Sequence, residues 1–276
     1  MKKRMTKMKM RKRMTKMKKR SSSMRLRDFL VVVPYKKASA GSKAIAKGLK
    51  VERINHPELI RGGHHVINWG NTKWRSPVAA RIYNKPENLA NAVNKLKAFR
   101  ILEEARVPIP AYTTDKHQAE EWLRQKGTIV VCRRLLSASG GKGIVIAKNR
   151  VDIVDSPLYT RYVKKKREYR VHVFQGRIIG YKRKIKHRGV ETSSDYVRSH
   201  SNGYRYIIDP EHPPSQSVLD AAVAACGALR LDFGGVDVMW VKKGDKSYVL
   251  EVNCAPGLTD MTGQWYIDAF KRKYRE

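Results

Sequence analysis

The amino-acid sequence predicts a mixed α/β protein with α+β character, and three stretches carry that expectation. Residues 29–88 alternate apolar, strand-length runs with helical patterns, as a small α/β unit does. Residues 128–186 read as a series of short strands separated by glycine-rich or basic turns. Residues 235–257, GVDVMWVKKGDKSYVLEVNCAPG, read as a hairpin, because two β-branched runs flank a polar turn containing Gly244.

Composition sets the bounds. A chain of 276 residues allows one large domain or two to three small ones, and 41% hydrophobic residues suffice for real cores. The apolar runs have strand length, too short for a membrane span, which needs about 18 or more consecutive apolar residues. Cys132, Cys226 and Cys254 are scattered without metal-ligand spacing, which suits a reducing cytoplasm and implies neither zinc nor disulfides. The formal net charge is +35, with 12 Lys/Arg and no acid in residues 1–20; the remainder still carries +23. Such a surface favours anionic partners without choosing among them.

Residues 1–23 form a basic, low-complexity tail in which KRMTKMK occurs twice, at 3–9 and 12–18. It has no branched aliphatic or aromatic residue and is expected not to fold alone. It either serves as a nucleic-acid arm or lies upstream of a start at Met24. From there, 29–33 is a buried-strand run, 36–50 a loop entering a helix, and 51–54 and 65–69 short strands. The loop at Trp69-Gly70-Asn71 follows a strand, where ligand sites of open α/β sheets lie. His64 and His65 could ligate a metal, but no further ligand pattern supports them. Residues 86–107 repeat apolar positions every three or four residues, predicting one helix that carries Lys95 and ends at Val107-Pro108-Ile109-Pro110.

A short helix over 119–125 precedes strands 128–132 and 144–147, with Arg133 and Arg134 at the strand end and Gly140, Gly141 and Gly143 in the loop. Strand, glycine loop, strand is neither a Walker A motif nor a Rossmann fingerprint. It suits a flap whose backbone N–H groups and arginines cover phosphates, although many hairpin turns look the same. Strand 158–163 leads through a basic turn, 164–167, into strand 168–174, whose alternation puts Glu168, Arg170 and His172 on one face. Across the next turn, Lys182 or Lys184 joins that polar face; a solvated basic face is the plainer reading. Residues 191–206, including Arg198 and Asn202, read as a polar loop, mobile or substrate-contacting. Helices are expected over 213–229 and 259–271, on either side of the hairpin.

With its turn centred on Gly244, the hairpin sets Asp237 and Glu251, each seven residues away, opposite each other. Their Cβ atoms would be about 5 Å apart on one face. Asn253, two residues on, shares that face. Two unpaired carboxylates on a half-buried sheet repel each other and are costly to desolvate. A hard cation such as Mg²⁺ would resolve the conflict with carboxylate, amide and phosphate oxygens.

Taken in order, these elements resemble the ATP-grasp superfamily. They are most similar to its carboxylate–amine ligase branch, which includes the ribosomal-protein glutamate ligases and the short ATP-grasp proteins of tailed bacteriophages. The resemblance spans roughly residues 28–271. It rests on the acid strand followed by E-x-N (Glu251, Asn253), on the lysine-bearing helix ending in I-x-P, and on E-x-R-V-x-V at Glu168–Val173. It implies an ATP-grasp fold: a pre-ATP-grasp α/β domain over 24–88, an ATP-grasp domain over 89–276, and a lid at about 110–165.

It further implies ATP as cofactor and Mg²⁺, two ions, held by Asp237, Glu251 and Asn253, with Mn²⁺ as a substitute. Lys95 would touch the phosphates. Arg133 stands where many relatives place a lysine, so that it or Arg134 would contact the nucleotide. Gly140, Gly141 and Gly143 would form the flap. Arg161, Tyr162 and Val163 would be the hinge that reads adenine, with Glu168 near the ribose. Arg170, Lys184, Arg198 and Asn202 would face the acceptor carboxylate or the γ-phosphate. The implied reaction is amide or peptide-bond formation between a small-molecule or peptide carboxylate and an amine, through an acyl phosphate. A non-catalytic ATP-binding regulatory or structural protein on the same fold is the alternative; a basic nucleic-acid-binding protein is a third, without a recognisable motif.

Overall fold

The computed structural model describes residues 25–275 apart from 76–78, 80, 139, 188 and 193. The expected basic tail, residues 1–23, lies outside the described residues. Three sheets organise the described residues.

The first sheet contains β1 (Leu30–Pro34), β2 (Glu52–Arg53), β3 (His65–Trp69) and β4 (Arg81–Tyr83), all parallel, in the order β2-β1-β3-β4. The run of β-branched residues in β1 is buried at every position, as a central parallel strand requires. Helix α1 (Ala40–Leu49) joins β1 to β2, capped by Ser39, whose Oγ accepts from the Ser42 N–H. The strand β4 has too few apolar residues to announce itself in the sequence.

The expected single helix over 86–107 is two, α2 (Pro86–Val93) and α3 (Lys95–Glu104). Asn94 separates them in an extended conformation (φ −84°, ψ 109°), and its side chain caps α3 by accepting from the Lys97 N–H. Lys95 is therefore the first residue of a helix rather than an interior one.

The second sheet contains β5 (Tyr112–Thr113), β6 (Val130–Arg133), β7 (Ile144–Ala147) and β8 (Leu158–Arg161), antiparallel in the order β5-β8-β6-β7. Helix α4 (Lys116–Arg124) covers its outer face. Ala119, Val130, Cys132, Ala147, Ile153 and Tyr159 form a small core of their own there. Strand alternation sends Val131 and Arg133 the other way.

The third sheet contains β9 (Arg167–Phe174), β10 (Arg177–Lys186), β11 (Tyr204–Ile207), β12 (Phe233–Val241) and β13 (Lys246–Asn253), in the order β11-β10-β9-β12-β13. Its back face, with Tyr169, Val171, Val173, Val236 and Val238, buries against α5 (Gln216–Ala228) in the largest core. Its front face is polar. Strand β11 and the 3-10 turn His200–Asn202 occupy a stretch expected to be loop; the strand pairs through Tyr206 opposite Lys184. The last helix, α6 (Asp260–Lys273), shares a core with the first sheet: Tyr266 and Phe270 lie among Leu30, Ile67, Trp69 and Phe233.

Candidate functional site: a cationic cleft between two antiparallel sheets

The hairpin β12–β13 places Asp237 opposite Glu251. The strands meet with Val241 opposite Lys246, so the turn is centred between Lys243 and Gly244; one extra residue, Leu250, bulges out between Val249 and Glu251 and restores the offset. Asn253 remains on the Glu251 side: its Nδ2 donates to Glu251 Oε1 at 3.3 Å and to the Gly235 carbonyl at 3.2 Å.

The two carboxylates do not face each other unpaired. Arg170, opposite Asp237 on β9, donates Nε to Oδ1 (2.6 Å) and Nη2 to Oδ2 (2.7 Å). Lys95 Nζ lies 3.4 Å from Glu251 Oε2. The repulsion expected from sequence is thus relieved by two cations brought in from other elements. Burial alone would raise the Asp237 pKa, but the Arg170 guanidinium outweighs it and holds the carboxyl below its usual value.

Register lines the front-face side chains up in two transverse rows. Glu251, Asp237, Arg170 and Lys182 run across β13, β12, β9 and β10. Beside them, Met239, Glu168, Lys184 and Tyr206 run across β12, β9, β10 and β11. Glu168 is buried and ion-paired to both Lys184 and Lys165; burial pushes its pKa up, and the two lysines more than reverse that. Lys165 therefore belongs to the site, although the sequence shows it only as part of a basic turn. The Tyr206 ring lies under the Arg170 and Lys184 cations, at 4.3 and 4.8 Å from its centroid.

This floor faces the second sheet across a cavity of about 590 Å³. Val131, Ile144 and Ile146 supply an apolar wall, as a planar ligand requires. Arg161, Tyr162 and Val163 line the cavity at the crossover between the sheets. The β6–β7 turn roofs it. Gly140 and Gly141 line it at positive φ (68° and 80°), and a Cβ on Gly141 would stand 2.6 Å from Val197. The roof thus meets the loop before β11 at glycine distance. Lys95 ties the roof to the hairpin: its N–H donates to the Leu136 carbonyl, and its Nζ donates to the Ala138 carbonyl (2.7 Å).

Four expected residues stand differently. Arg133 lines the cavity, its Nε buried without a hydrogen-bond partner, whereas Arg134 is exposed and off the lining; the strand period separates neighbours. Gly143 shapes the turn, with φ 72° and Leu135 2.8 Å from where a Cβ would be, but does not line the cavity. Asn253 sits behind Glu251, off the lining. Asn202 is corrected most: its buried Nδ2 donates to the Ser194 and Val197 carbonyls and ties the loop together, rather than facing the cleft. Arg198, by contrast, does line the cavity, as do Lys95, Glu168, Arg170 and Lys184.

Asp237, Glu251 and Asn253 offer only oxygens, the ligand set of a hard cation, and the Glu251 side chain is 31% exposed toward the cleft. Asn253 Oδ1 has no hydrogen-bond partner among the described residues. Glu251 at the cleft, the Asp237 carboxylate shared with Arg170, and the open Asn253 Oδ1 behind them are the oxygens that would hold Mg²⁺. A second group of metal-type ligands, Asp209, Glu211 and His212, lies off the cavity lining, and Asp209 is already paired with Arg183 and His212.

The fold and the cleft define a class: an α/β protein whose polar sheet face opens, under a glycine roof, into a strongly cationic cavity. The chain belongs to the ATP-grasp family; the model of the ATP-grasp domain matches residues 92–257, more than half of its length. Among solved structures it is similar to the ATP-grasp ligase PsnB complexed with minimal precursor, Mg and ADP (16% identity, TM-score 0.63, covering 89% of this chain and 97% of that one). It is also similar to D-alanine–D-alanine ligase from Bacillus anthracis (14% identity, TM-score 0.60, 90% and 99%). A third is a Chryseobacterium gregarium RiPP-associated ATP-grasp ligase in complex with ADP and a leader and core peptide (12% identity, TM-score 0.58, 88% and 96%). At these identities the likeness is one of fold. No curated protein matches the sequence.

Proposed function

We propose that the protein is an ATP- and Mg²⁺-dependent carboxylate–amine ligase. The observation that carries this reading is the transverse row Glu251–Asp237–Arg170, acids at one end and cation at the other, beneath a glycine roof. The apolar wall and the Arg161–Val163 crossover would hold adenine; the Arg161 and Tyr162 N–H groups already donate to the Ala111 and Ile129 carbonyls, so Val163 would supply the backbone donor. Lys95 and Arg133 hold the phosphates, and the backbone N–H groups of Gly140 and Gly141 close over them. Glu168 reaches the ribose only by sharing a carboxylate already held by two lysines. Asp237, Glu251 and Asn253 hold Mg²⁺, which neutralises phosphate charge.

In the first step a substrate carboxylate oxygen bonds to the γ-phosphorus. The bond from that phosphorus to the bridging oxygen breaks, and ADP leaves with its electron pair. An amine nitrogen then attacks the acyl-phosphate carbon, phosphate leaves with the C–O electrons, and the nitrogen loses a proton. The protein contributes positioning and charge neutralisation rather than a covalent group. Arg170, Lys184 and Arg198 orient the carboxylate and neutralise charge on the transferring phosphoryl group. Cys254, the nearest thiol, is buried and its pKa is pushed well up, so it is no nucleophile. Among the described residues no helix is long and apolar enough to cross a membrane, and we place the reaction in the cytoplasm of a bacterial or phage-infected cell.

Glu251→Gln tests the reading. It keeps the side-chain shape, so thermal unfolding should be nearly unchanged, while Mg²⁺-dependent ADP release, screened against amino acids and acidic peptides, should fall at least about a hundredfold. Undiminished turnover in this variant removes the metal assignment. Nucleotide binding without turnover under any acceptor favours the non-catalytic reading.

A further inference from the structure

The cavity wall carries more positive charge than the ligase reading uses. Among the described residues, ten lysines and arginines line it against three carboxylates. Each carboxylate has its own cation: Asp237 has Arg170, Glu251 has Lys95, and Glu168 has Lys184 and Lys165. The ligase reading assigns Lys95, Arg133, Arg170, Lys184 and Arg198 to the nucleotide and the acid, and leaves Lys182 without a role.

Lys182 is the sharpest case. It is 9% exposed, lines the cavity, and has neither a hydrogen bond nor an ion pair among the described residues. Its register partner is Arg170, another cation. A buried ammonium beside a buried guanidinium is costly unless something anionic compensates. It also stands at the far end of the row from Glu251, about 10 Å beyond Asp237 at two strand spacings.

We propose that the carboxylate substrate carries a second carboxylate, which pairs with Lys182 while the reacting one lies at Arg170. Arg170 spends Nε and Nη2 on Asp237 and has Nη1 left for a ligand. Lys182 and Arg170 stand directly opposite on adjacent strands, their backbones about 4.8 Å apart, and both side chains line the one cavity, so a single flexible dicarboxylate can meet both. A monocarboxylate would leave Lys182 buried and unpaired in the complex, so the pocket discriminates against it. The inference rests on the ligase reading, which makes the cleft an acid-binding site. It adds the class of acid: a small dicarboxylate, or neighbouring acidic side chains of a peptide.

The test is calorimetric titration of the full chain, with and without Mg²⁺ and the non-hydrolysable analogue AMP-PNP. Two matched pairs are compared: glutarate with butyrate, and N-acetyl-Glu-Glu-amide with N-acetyl-Glu-Gln-amide. The dianion of at least one pair should bind roughly tenfold tighter than its monoanion; the pair that does so identifies the source. Lys182→Met should abolish that preference and Lys182→Arg should retain most of it. Because Lys182→Met removes an unpaired buried charge, its thermal midpoint should equal or exceed that of the wild type. Equal affinities within both pairs overturn the proposal, as does a preference that survives in Lys182→Met. A lower midpoint in that variant assigns Lys182 to holding the sheet and overturns it too. Failure of Mg²⁺·AMP-PNP to bind wild-type protein sinks the ligase reading instead, while the nucleotide-free titrations still decide the Lys182 subsite.

Discussion

Asp237 shows how much a single buried charge depends on its partner. Its carboxylate is 4% exposed and doubly hydrogen-bonded to Arg170. Asp237→Asn leaves that guanidinium buried beside Lys182 without its anion, which should cost about 3–5 kcal/mol in denaturant unfolding. The direction of the pKa shifts sets the pH dependence. Asp237 and Glu168 both have folded pKa values below their usual ones. Their stabilisation is fully present above the unfolded carboxylate pKa, about 4, and is lost as pH falls through the lower folded values. The wild type should therefore lose stability steeply below about pH 4, and Asp237→Asn should show a shallower acid limb. His172, in the same sheet, is pushed down to about 3 by burial and by Arg170, so it stays neutral over the whole working range.

At the scale of elements, the glycine roof and the hairpin do different work. Gly141 has φ 80° and no room for a Cβ against Val197. Gly141→Ala should hold the β6–β7 turn off the β11 loop. We expect the KM for ATP to rise about tenfold with little change in thermal midpoint, because the turn is peripheral to every core. A midpoint falling as far as the affinity would instead make Gly141 a folding residue. The hairpin owes its facing acids to a bulge at Leu250. Simple counting from Gly244 reaches the right pair, because the true turn centre lies half a residue earlier and the bulge compensates. Counting does not reveal the bulge, since nothing in Val249-Leu250-Glu251 distinguishes it from a regular strand.

For the whole molecule, the decisive contact is between the two ends of the described chain. Tyr266 and Phe270 of α6 insert between the first sheet and the third, against Trp69 and Phe233. Phe270 is fully buried, and Phe270→Ala should cost about 3–5 kcal/mol. Because both sheets share this core, unfolding should remain one transition for them at a lower midpoint. Calorimetry resolving a separate transition for residues 30–83 would contradict the shared core. The expected boundary near residue 88 falls inside α2, and side chains from both sides of it share one core.

The sequence by itself determined the local periodicities and the features that depend on them. Strands β9, β10, β12 and β13 of the third sheet, the α5 and α6 helices, the glycine turn and the face shared by Glu168, Arg170 and His172 all depend on spacing along one segment, which a period of two or 3.6 exposes directly; β11, in a polar stretch, does not announce itself. It determined the Asp237–Glu251 pairing for the same reason. Only the tertiary structure decided which charges meet. Lys95 reaches Glu251 across 156 positions of sequence, Arg170 reaches Asp237 across 67, and Lys165 folds inward onto Glu168. It also separated Arg133 from Arg134 and took Asn202 out of the cleft, since a polar side chain in a loop satisfies whichever carbonyl the fold brings within reach. Lys182 is the clearest instance. Along the chain it is one more lysine on a basic strand, and only burial beside Arg170, with no ion pair among the described residues, sets it apart.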